Sequence, residues 1–334
     1  MNQRKTEHAR TIRTEVLWSA RPVDDDGLPI VAFAKRNRGT LGVLLLLLSL
    51  KMLSTIMATV APMAKNMRSE PQKLVFVDYL EKPNVIEPIT EVRLDGRLKR
   101  LADVEDRRRV GDVPLFFHMP RSMGGTYREI LKCVGIERTL GSSLDEIKNG
   151  KQNSAVKNGV DAVVTQYIYS ASTLFSSNRR GRCFTIIRHP IERVQSLFYS
   201  LSISEHISLE MWARSRRVES NRLTRFLSNQ LEGELTQNHL NTAKEVLRRK
   251  CIVGLFEEKV DSWQRFQRYF SMKLQSKDTE CIDRYLSYDW KNKRLHPTVE
   301  EGSTVWNLLF SQNEFDMEMY HYALSLFEQQ KGLA

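Results

Sequence analysis

The chain has 334 residues, of which 41% are hydrophobic and 27% charged, apolar enough for a folded domain and too apolar for a disordered one. Lysine and arginine number 51 against 40 aspartate and glutamate, and the net charge of +11 favours anionic partners. Four cysteines are too few for a disulfide scaffold, and they lack the C-x-x-C spacing of a zinc ribbon or a thioredoxin-like centre.

Residues 1–40 read as a polar tail. Residues 41–63, LGVLLLLLSLKMLSTIMATVAPM, form an apolar run with one charge, Lys51. About 20 such residues cross the hydrocarbon core as a helix. A central lysine costs about 2.5–3.5 kcal/mol on insertion scales, which the leucines offset. The run is therefore expected to be a transmembrane signal anchor. Lys35, Arg36 and Arg38 before it outweigh Lys65 and Arg68 after it, which puts the N-terminus on the cytoplasmic side. In a eukaryote the rest of the chain then lies in the secretory lumen. No Asn-x-Ser/Thr sequon occurs.

Residues 64–112 are charged, mixed and without a strong period, and close on ADVEDRRRVGD. They read as a stem, partly helical around 92–109, or as an extension packed onto the domain that follows. From residue 113 the rhythm changes. VPLFFHM is a short apolar run that ends in a Pro-Arg-Ser-Met-Gly-Gly-Thr turn, and YREILKCVGI then reads as a helix. DAVVTQYIY and CFTII are further strand candidates. The second runs through RHP into IERVQSLFYSL, where Ile191, Val194, Leu197, Phe198 and Leu201 share one helical face. CIVGLF from Cys251 is a fourth strand, followed by a helix over 259–270. Residues 303–330 read as one long terminal helix, with Phe315, Met319, Tyr322 and Leu326 in register. Strands alternating with helices predict an α/β domain over 113–334, with a mostly parallel central sheet flanked by helices.

Two strand-to-helix turns carry the chemistry. In FFHMPRSMGGTYREIL, residues 116–131, glycines let backbone N–H groups approach a phosphate and the helix N-terminus adds positive potential. Arg121 supplies a cation, and Ser122 and Thr126 supply hydroxyls. The loop is not a Walker motif, because Gly125, not lysine, precedes Thr126. In CFTIIRHPIERVQSLFYSL, residues 183–201, Arg188 stands at the carboxyl end of a strand, where open α/β sheets bind ligands. Arg188 by its planar fork and Ser196 by its hydroxyl can grip a second phosphate. Two such grips suggest a nucleotide phosphorylated at both ends.

PRSMGGT resembles the 5′-phosphosulfate loop, typically P-K-T-G-G-T, of the Golgi membrane-bound carbohydrate sulfotransferases, heparan sulfate 2-O-sulfotransferase-like members among them. TIIRHPIERVQSLFYSL resembles their 3′-phosphate motif, R-x-P-x-x-R-x-x-S. SLEMWA at 208–213, NRLTRFLS at 221–228, AKEVLRR before CIVGLFEE, and FQRYF agree with the same family. The resemblance covers about 113–330 and also matches the order of anchor, stem and domain. It implies a P-loop-NTPase-like three-layer fold preceded by one transmembrane helix. It further implies a type II Golgi membrane enzyme that transfers a sulfuryl group from 3′-phosphoadenosine-5′-phosphosulfate (PAPS) to a glycan hydroxyl, with no metal. The implied donor-binding residues are Arg121, Ser122, Met123, Gly124, Gly125, Thr126, Tyr127, Arg188 and Ser196.

The sequence departs from the family in three places. Arg121 replaces the usual lysine, Met123 lengthens the loop by one residue, and the Gly-His base that uronyl 2-O-sulfotransferase-like members carry after the second strand is absent, with Gln166 in that region. In-line transfer needs a base for the acceptor hydroxyl and a cation for the leaving phosphate. Arg121 can be the cation. His118, the histidine nearest the loop, is the candidate base or else packs at the strand end, and His189 belongs to the surroundings. The missing Gly-His leaves a second reading, an inactive lumenal protein that binds a nucleotide or glycan on the same fold. A kinase-like phosphotransferase is disfavoured by the absent P-loop lysine. RRR at 107–109, RRGR at 179–182 and LRRK at 247–250 could line an acidic-glycan groove or be solvated faces. Nucleic acid is not an expected partner, because aromatic interleaving is lacking.

Overall fold

The computed structural model describes residues 92–333 except 142, 153–155, 157–158, 216 and 288–295. The chain divides into two units, Met1–Arg68 and Ser69–Ala334, and every described residue belongs to the second. The apolar run at 41–63 therefore lies outside the described residues. No helix among them is long and apolar enough to cross a membrane.

The architecture is α/β. β1 (Val113–Phe117) leads into α1 (Gly124–Cys133), then β2 (Thr139–Leu140), α2 (Leu144–Gln152), β3 (Ala162–Thr165) and α3 (Ile168–Ser172). β4 (Gly181–Ile187) follows, then α4 (Pro190–Ser200), α5 (Leu209–Ala213), α6 (Arg222–Ser228) and α7 (Gln237–Lys250). β5 (Cys251–Leu255) precedes α8 (Lys259–Tyr269), α9 (Ser276–Leu286), α10 (Thr304–Ser311) and α11 (Glu314–Gln329). The strands form a single parallel sheet in the order β2-β3-β1-β4-β5.

Strand side chains alternate between two cores, as the period of two requires. Leu115, Phe117, Cys183, Val253 and Leu255 face α3, α6, α7 and α11. Phe116, Phe184, Ile186 and Ile252 face α1, α8 and α9. Helices cover both faces, so the two central strands, β1 and β4, are buried almost throughout and largely apolar, with Arg182 and Thr185 of β4 the polar exceptions. A third cluster joins Ile191, Val194, Leu197 and Phe198 of α4 to Trp212, Leu309 and Met317, the face that the helical spacing of α4 predicts.

Two features were not read from the sequence as they stand in the fold, and a third decides between two readings. The edge strand β2 is only two residues long and carries no periodic signal. The expected single terminal helix is two, α10 and α11, parted at Gln312 and Asn313. Asn313 is buried there, accepting from the Asn221 amide at 3.0 Å and donating to the Leu309 carbonyl at 2.9 Å. Asp316, one turn on, accepts the amides of Leu223 (3.0 Å) and Thr224 (2.8 Å) and so caps α6. Third, of the two readings of 64–112, residues 96–112 follow the packed extension and lie against the sheet. Leu98, Leu101 and Ala102 are buried, the Ala102 amide bonds Gly181 O at 2.9 Å, and Asp112 pairs with the buried Arg182 at 3.0 Å. Of the helix expected around 92–109, only a 3-10 turn at Gly96–Arg100 is present.

All four cysteines are paired, as Cys133–Cys281 and Cys183–Cys251. The second pair joins residues in register on β4 and β5. The first ties the end of α1 to α9 across a sequence separation of 148. Replacing Cys133 and Cys281 together by serine is expected to lower the free energy of unfolding by about 2–5 kcal/mol in a urea titration under oxidising conditions. An unchanged midpoint would show that this bond does not form in solution.

Candidate functional site

β1 and β4 are neighbours in the sheet, paired from Val113↔Gly181 to Phe117↔Thr185. The loop after β1 (118–123) and the turn after β4 (188–189) therefore emerge side by side at the carboxyl end. After β1 the chain moves to the β3 side, and after β4 to the β5 side. This is the topological switch point, where ligands bind in open parallel sheets.

The first loop is built for close backbone approach. Arg121 (φ 68°) and Met123 (φ 61°) both adopt the left-handed conformation. Each non-glycine residue there costs about 1–3 kcal/mol, a strain that clusters at functional sites. The amides of Gly124, Gly125 and Thr126 lie in the first turn of α1, where helical geometry gives them no acceptor; the Tyr127 amide is bonded to Met123 O at 2.9 Å. Ser122 Oγ is buried without a partner. Tyr127 points elsewhere. Its ring is wholly buried among Phe116, Trp263 and Phe266, and its hydroxyl donates to Lys259 O at 3.4 Å.

The loop closes onto the second motif. Arg121 donates to Ser196 Oγ from Nε at 3.2 Å and from Nη2 at 3.1 Å, across 75 residues of chain. Arg188 Nη1 donates to Arg121 O at 3.2 Å. The Arg188 guanidinium lies 4.2 Å from the Phe256 ring centroid, with Glu192 3.5 Å from its Nε. Burial holds the Arg188 pKa below its ordinary value. Pro190 at the start of α4 fixes its entry, and Ser196 is buried two turns in. A small crevice lined by Met119, Ser122, Arg188, Pro190 and Arg193 opens beside these groups. A larger hollow, lined by Leu94, Leu98, Lys99 and Arg249, lies at the amino end of β5.

His118 sits beneath the loop. Its amide bonds Thr165 O at 2.9 Å, its ring packs 5.5 Å from that of Phe116, and its Nε2 is buried without a partner. A Cβ on Gly124 would fall 1.7 Å from that nitrogen, so glycine is required there by contact. Burial, reinforced by Arg128 and Arg222, pushes the His118 pKa down to about 3, and the ring is neutral at physiological pH. His189, packed edge-on against Tyr320, is pushed down to about 4, again chiefly by burial. Of the other histidines, His239 takes part in the capping box of α7 and His296 stacks on Tyr199.

Sequence reasoning named Gln166 only as standing in the region of the absent Gly-His, and missed both its partners and Glu257. Gln166, just past β3, accepts from Arg222 Nη2 at 2.7 Å, and Glu219 bridges Arg222 and Arg193. Those partners come from distant segments, so no local pattern announces them. Glu257 follows β5, with both carboxylate oxygens buried and lacking a hydrogen bond of normal length. Burial, with Glu192 nearby, pushes its pKa up to about 7. The signal for Glu257 was its place just past a strand's carboxyl end. Among the described residues, no group of three or more His, Cys, Asp or Glu side chains is placed to hold a metal. No family model matches the chain. No curated protein matches it in sequence.

Two outcomes follow from the His118–Gly124 contact. Gly124→Ala should destabilise the domain by about 1–3 kcal/mol, the scale of overpacking. His118→Ala should relieve it, so that the double variant loses less than the two single losses added; additive losses in a denaturation cycle would refute the contact. Because His118 and His189 titrate lower folded than unfolded, the unfolded chain takes up more protons as pH falls below about 6.5. Their contribution to stability is present above that pH and lost on the way down toward 4. His118→Asn should flatten the dependence of the urea midpoint on pH between about 6.5 and 4.5, and an unchanged slope would contradict the buried neutral ring.

Proposed function

We propose that the domain is a PAPS-dependent sulfotransferase of P-loop-NTPase-like fold, acting on a hydroxyl of a glycan. The observation that carries this reading is the meeting of Arg121, Ser196 and Arg188 at a strained loop, next to a crevice that Ser122 and Arg188 line. An unpartnered hydroxyl, Ser122 Oγ, together with three first-turn amides and two guanidinium groups, fits a ligand with phosphate groups at two positions. In this reading the amides of Gly124, Gly125 and Thr126 bind the 5′-phosphosulfate, and Arg188 and Ser196 hold the 3′-phosphate.

In the proposed reaction the acceptor oxygen forms a bond to sulfur while the bond from sulfur to the bridging phosphate oxygen breaks. Adenosine 3′,5′-bisphosphate leaves, and the acceptor proton passes to a base. Negative charge grows on the departing phosphate, where Arg121 stabilises it. His118 is the nearest histidine to the loop. It is neutral, as a base must be, yet its depressed pKa makes it a weak one. The family's Gly-His position holds Gln166 in Arg222's grip, which favours the second reading, a binding protein that no longer transfers. Both disulfides suit an oxidising lumen. They accord with a Golgi type II placement behind the 41–63 anchor.

Radiolabelled sulfate transfer from PAPS to desulfated polysaccharides, with and without EDTA, tests the function. Transfer that survives EDTA supports it, and donor binding without transfer favours the binding protein. Arg188→Ala should weaken adenosine 3′,5′-bisphosphate by about 1.5–3 kcal/mol and adenosine 5′-monophosphate much less. Equal losses in calorimetry would remove the 3′-phosphate assignment. Arg121→Ala should lower kcat by about 10²–10³-fold with a smaller loss of donor affinity. A wild-type rate would move the sulfuryl site elsewhere. His118→Ala separates two roles. Lost transfer with retained nucleotide binding makes it the base; normal transfer assigns the ring to packing under the loop.

A further inference from the structure

The three basic clusters of the sequence, at 107–109, 179–182 and 247–250, are scattered along the chain but meet in the fold. Because the sheet is parallel, every strand starts at the same end, and each cluster directly precedes or lies across a strand start. The segment from Ala102 to Val113 crosses that end. Its Ala102 amide bonds Gly181 O at 2.9 Å, its Val104 amide bonds Arg249 O at 2.8 Å, and the Val113 amide bonds Arg180 O at 2.9 Å. Arg109 Nη1 reaches Ser177 O at 3.5 Å, and Arg108 donates to Phe270 O.

Their neutralisation is uneven. Asp112 and Asp106 pair with Arg180, Asp112 also pairs with Arg182, Asp103 pairs with Arg249 and Lys250, and Glu245 pairs with Arg248. These carboxylates turn the inner cations into scaffold. Arg107, Arg108 and Arg109 stand exposed above them, and no described carboxylate forms an ion pair with their side chains. The surplus positive charge is thus displayed at one spot, on a turn held rigidly by backbone bonds. β4 spans seven residues, about 23 Å at about 3.3 Å per residue, and separates this spot from the nucleotide crevice at the other end of the sheet.

We propose that this end of the domain is a docking surface for a linear acidic polysaccharide, with Arg107, Arg108 and Arg109 as its contact residues. The class of polyanion follows from the disulfides. They persist in oxidising compartments, where acidic polysaccharides, rather than nucleic acids, are the polyanions at hand. Exposed, unneutralised arginines at a fixed spacing raise the local concentration of such a chain and hold it through charge-assisted bonds to sulfate and carboxylate groups. The surface does not depend on the reaction at the opposite end of the sheet. Val110, wholly exposed at the tip of the same turn, makes an anionic lipid surface the rival partner.

The test compares the full chain with a variant carrying Arg107→Gln, Arg108→Gln and Arg109→Gln, and with Arg188→Ala, for binding to a short heparin oligosaccharide. The triple variant should bind about tenfold or more weakly in moderate salt, the difference shrinking as salt rises. It should bind adenosine 3′,5′-bisphosphate as before, which reports an intact fold. Arg188→Ala should keep heparin affinity, so a failed nucleotide assignment and a failed docking surface remain distinguishable. In the unaltered chain, the oligosaccharide should slow trypsin cleavage after Arg107, Arg108 and Arg109, read by mass spectrometry, and this readout needs no variant to fold. Wild-type heparin affinity in the triple variant, or cleavage unaffected by the oligosaccharide, would overturn the proposal. So would a triple variant that loses binding to phosphatidylserine vesicles but not to heparin, which would assign the turn to lipid.

Discussion

The in-register pairing of β1 with β4 is the constraint on which the rest depends. It brings two loops, distant in sequence, out of the sheet at the same level, and leaves their side chains little room to do anything but meet. Arg121 bonding to Ser196 and Arg188 bonding to the Arg121 carbonyl are consequences of that register. A slip of one residue would turn Leu115 and Phe117 toward the wrong core and carry Arg188 away from the loop. Packing and site geometry are therefore specified together, by the alternation of apolar side chains along two short strands.

The same parallel sheet sorts charge. Its carboxyl end presents helix N-termini, strained amides and cations in a crevice, and its amino end presents strand starts braced by ion pairs. The buried Arg182 illustrates the second case. It bonds Asp112, the Tyr269 hydroxyl and the Asp106 carbonyl, so its charge is matched and its donors are occupied. A buried pair of this kind is weak support for net stability, but removing one partner strands the other's charge, which fixes the path of residues 102–113 across the domain. At the carboxyl end the balance is left open. Ser122 Oγ is buried without the hydrogen bond that such a group ordinarily finds, and Arg188 shares its environment with Glu192.

What could be read from the sequence was whatever is encoded locally. β1, β3 and β5 are short apolar runs, β4 carries one as CFTII, α4 has a clean helical face, and both loop motifs are contiguous. What could not be read depends on partners far along the chain. The charged stretch before β1 reads either as a stem or as a packed extension until Asp112 meets Arg182, 70 residues later. The split between α10 and α11 needs Asn221, about ninety residues upstream, to engage Asn313 and Asp316. Gln166 is named by its position, but its setting is fixed only where Arg222 reaches it. The left-handed Arg121 and Met123 carry no mark at all, since glycine is the usual sign of that conformation. His118 lies between these cases, found by its position but given its setting by the approach of Gly124.

The two disulfides are nested, Cys183–Cys251 lying inside the span closed by Cys133–Cys281. The exposed turn between α6 and α7, around Leu231 and Gly233, falls within both loops. A proteolytic cut there leaves a molecule in two pieces that are still joined twice. Arg121, Arg188 and Ser196 stay on one piece, and Phe256, over which Arg188 lies, stays on the other. The cross-links thus keep the two sides of the crevice on one covalent molecule after such a cut, for as long as either disulfide stays oxidised.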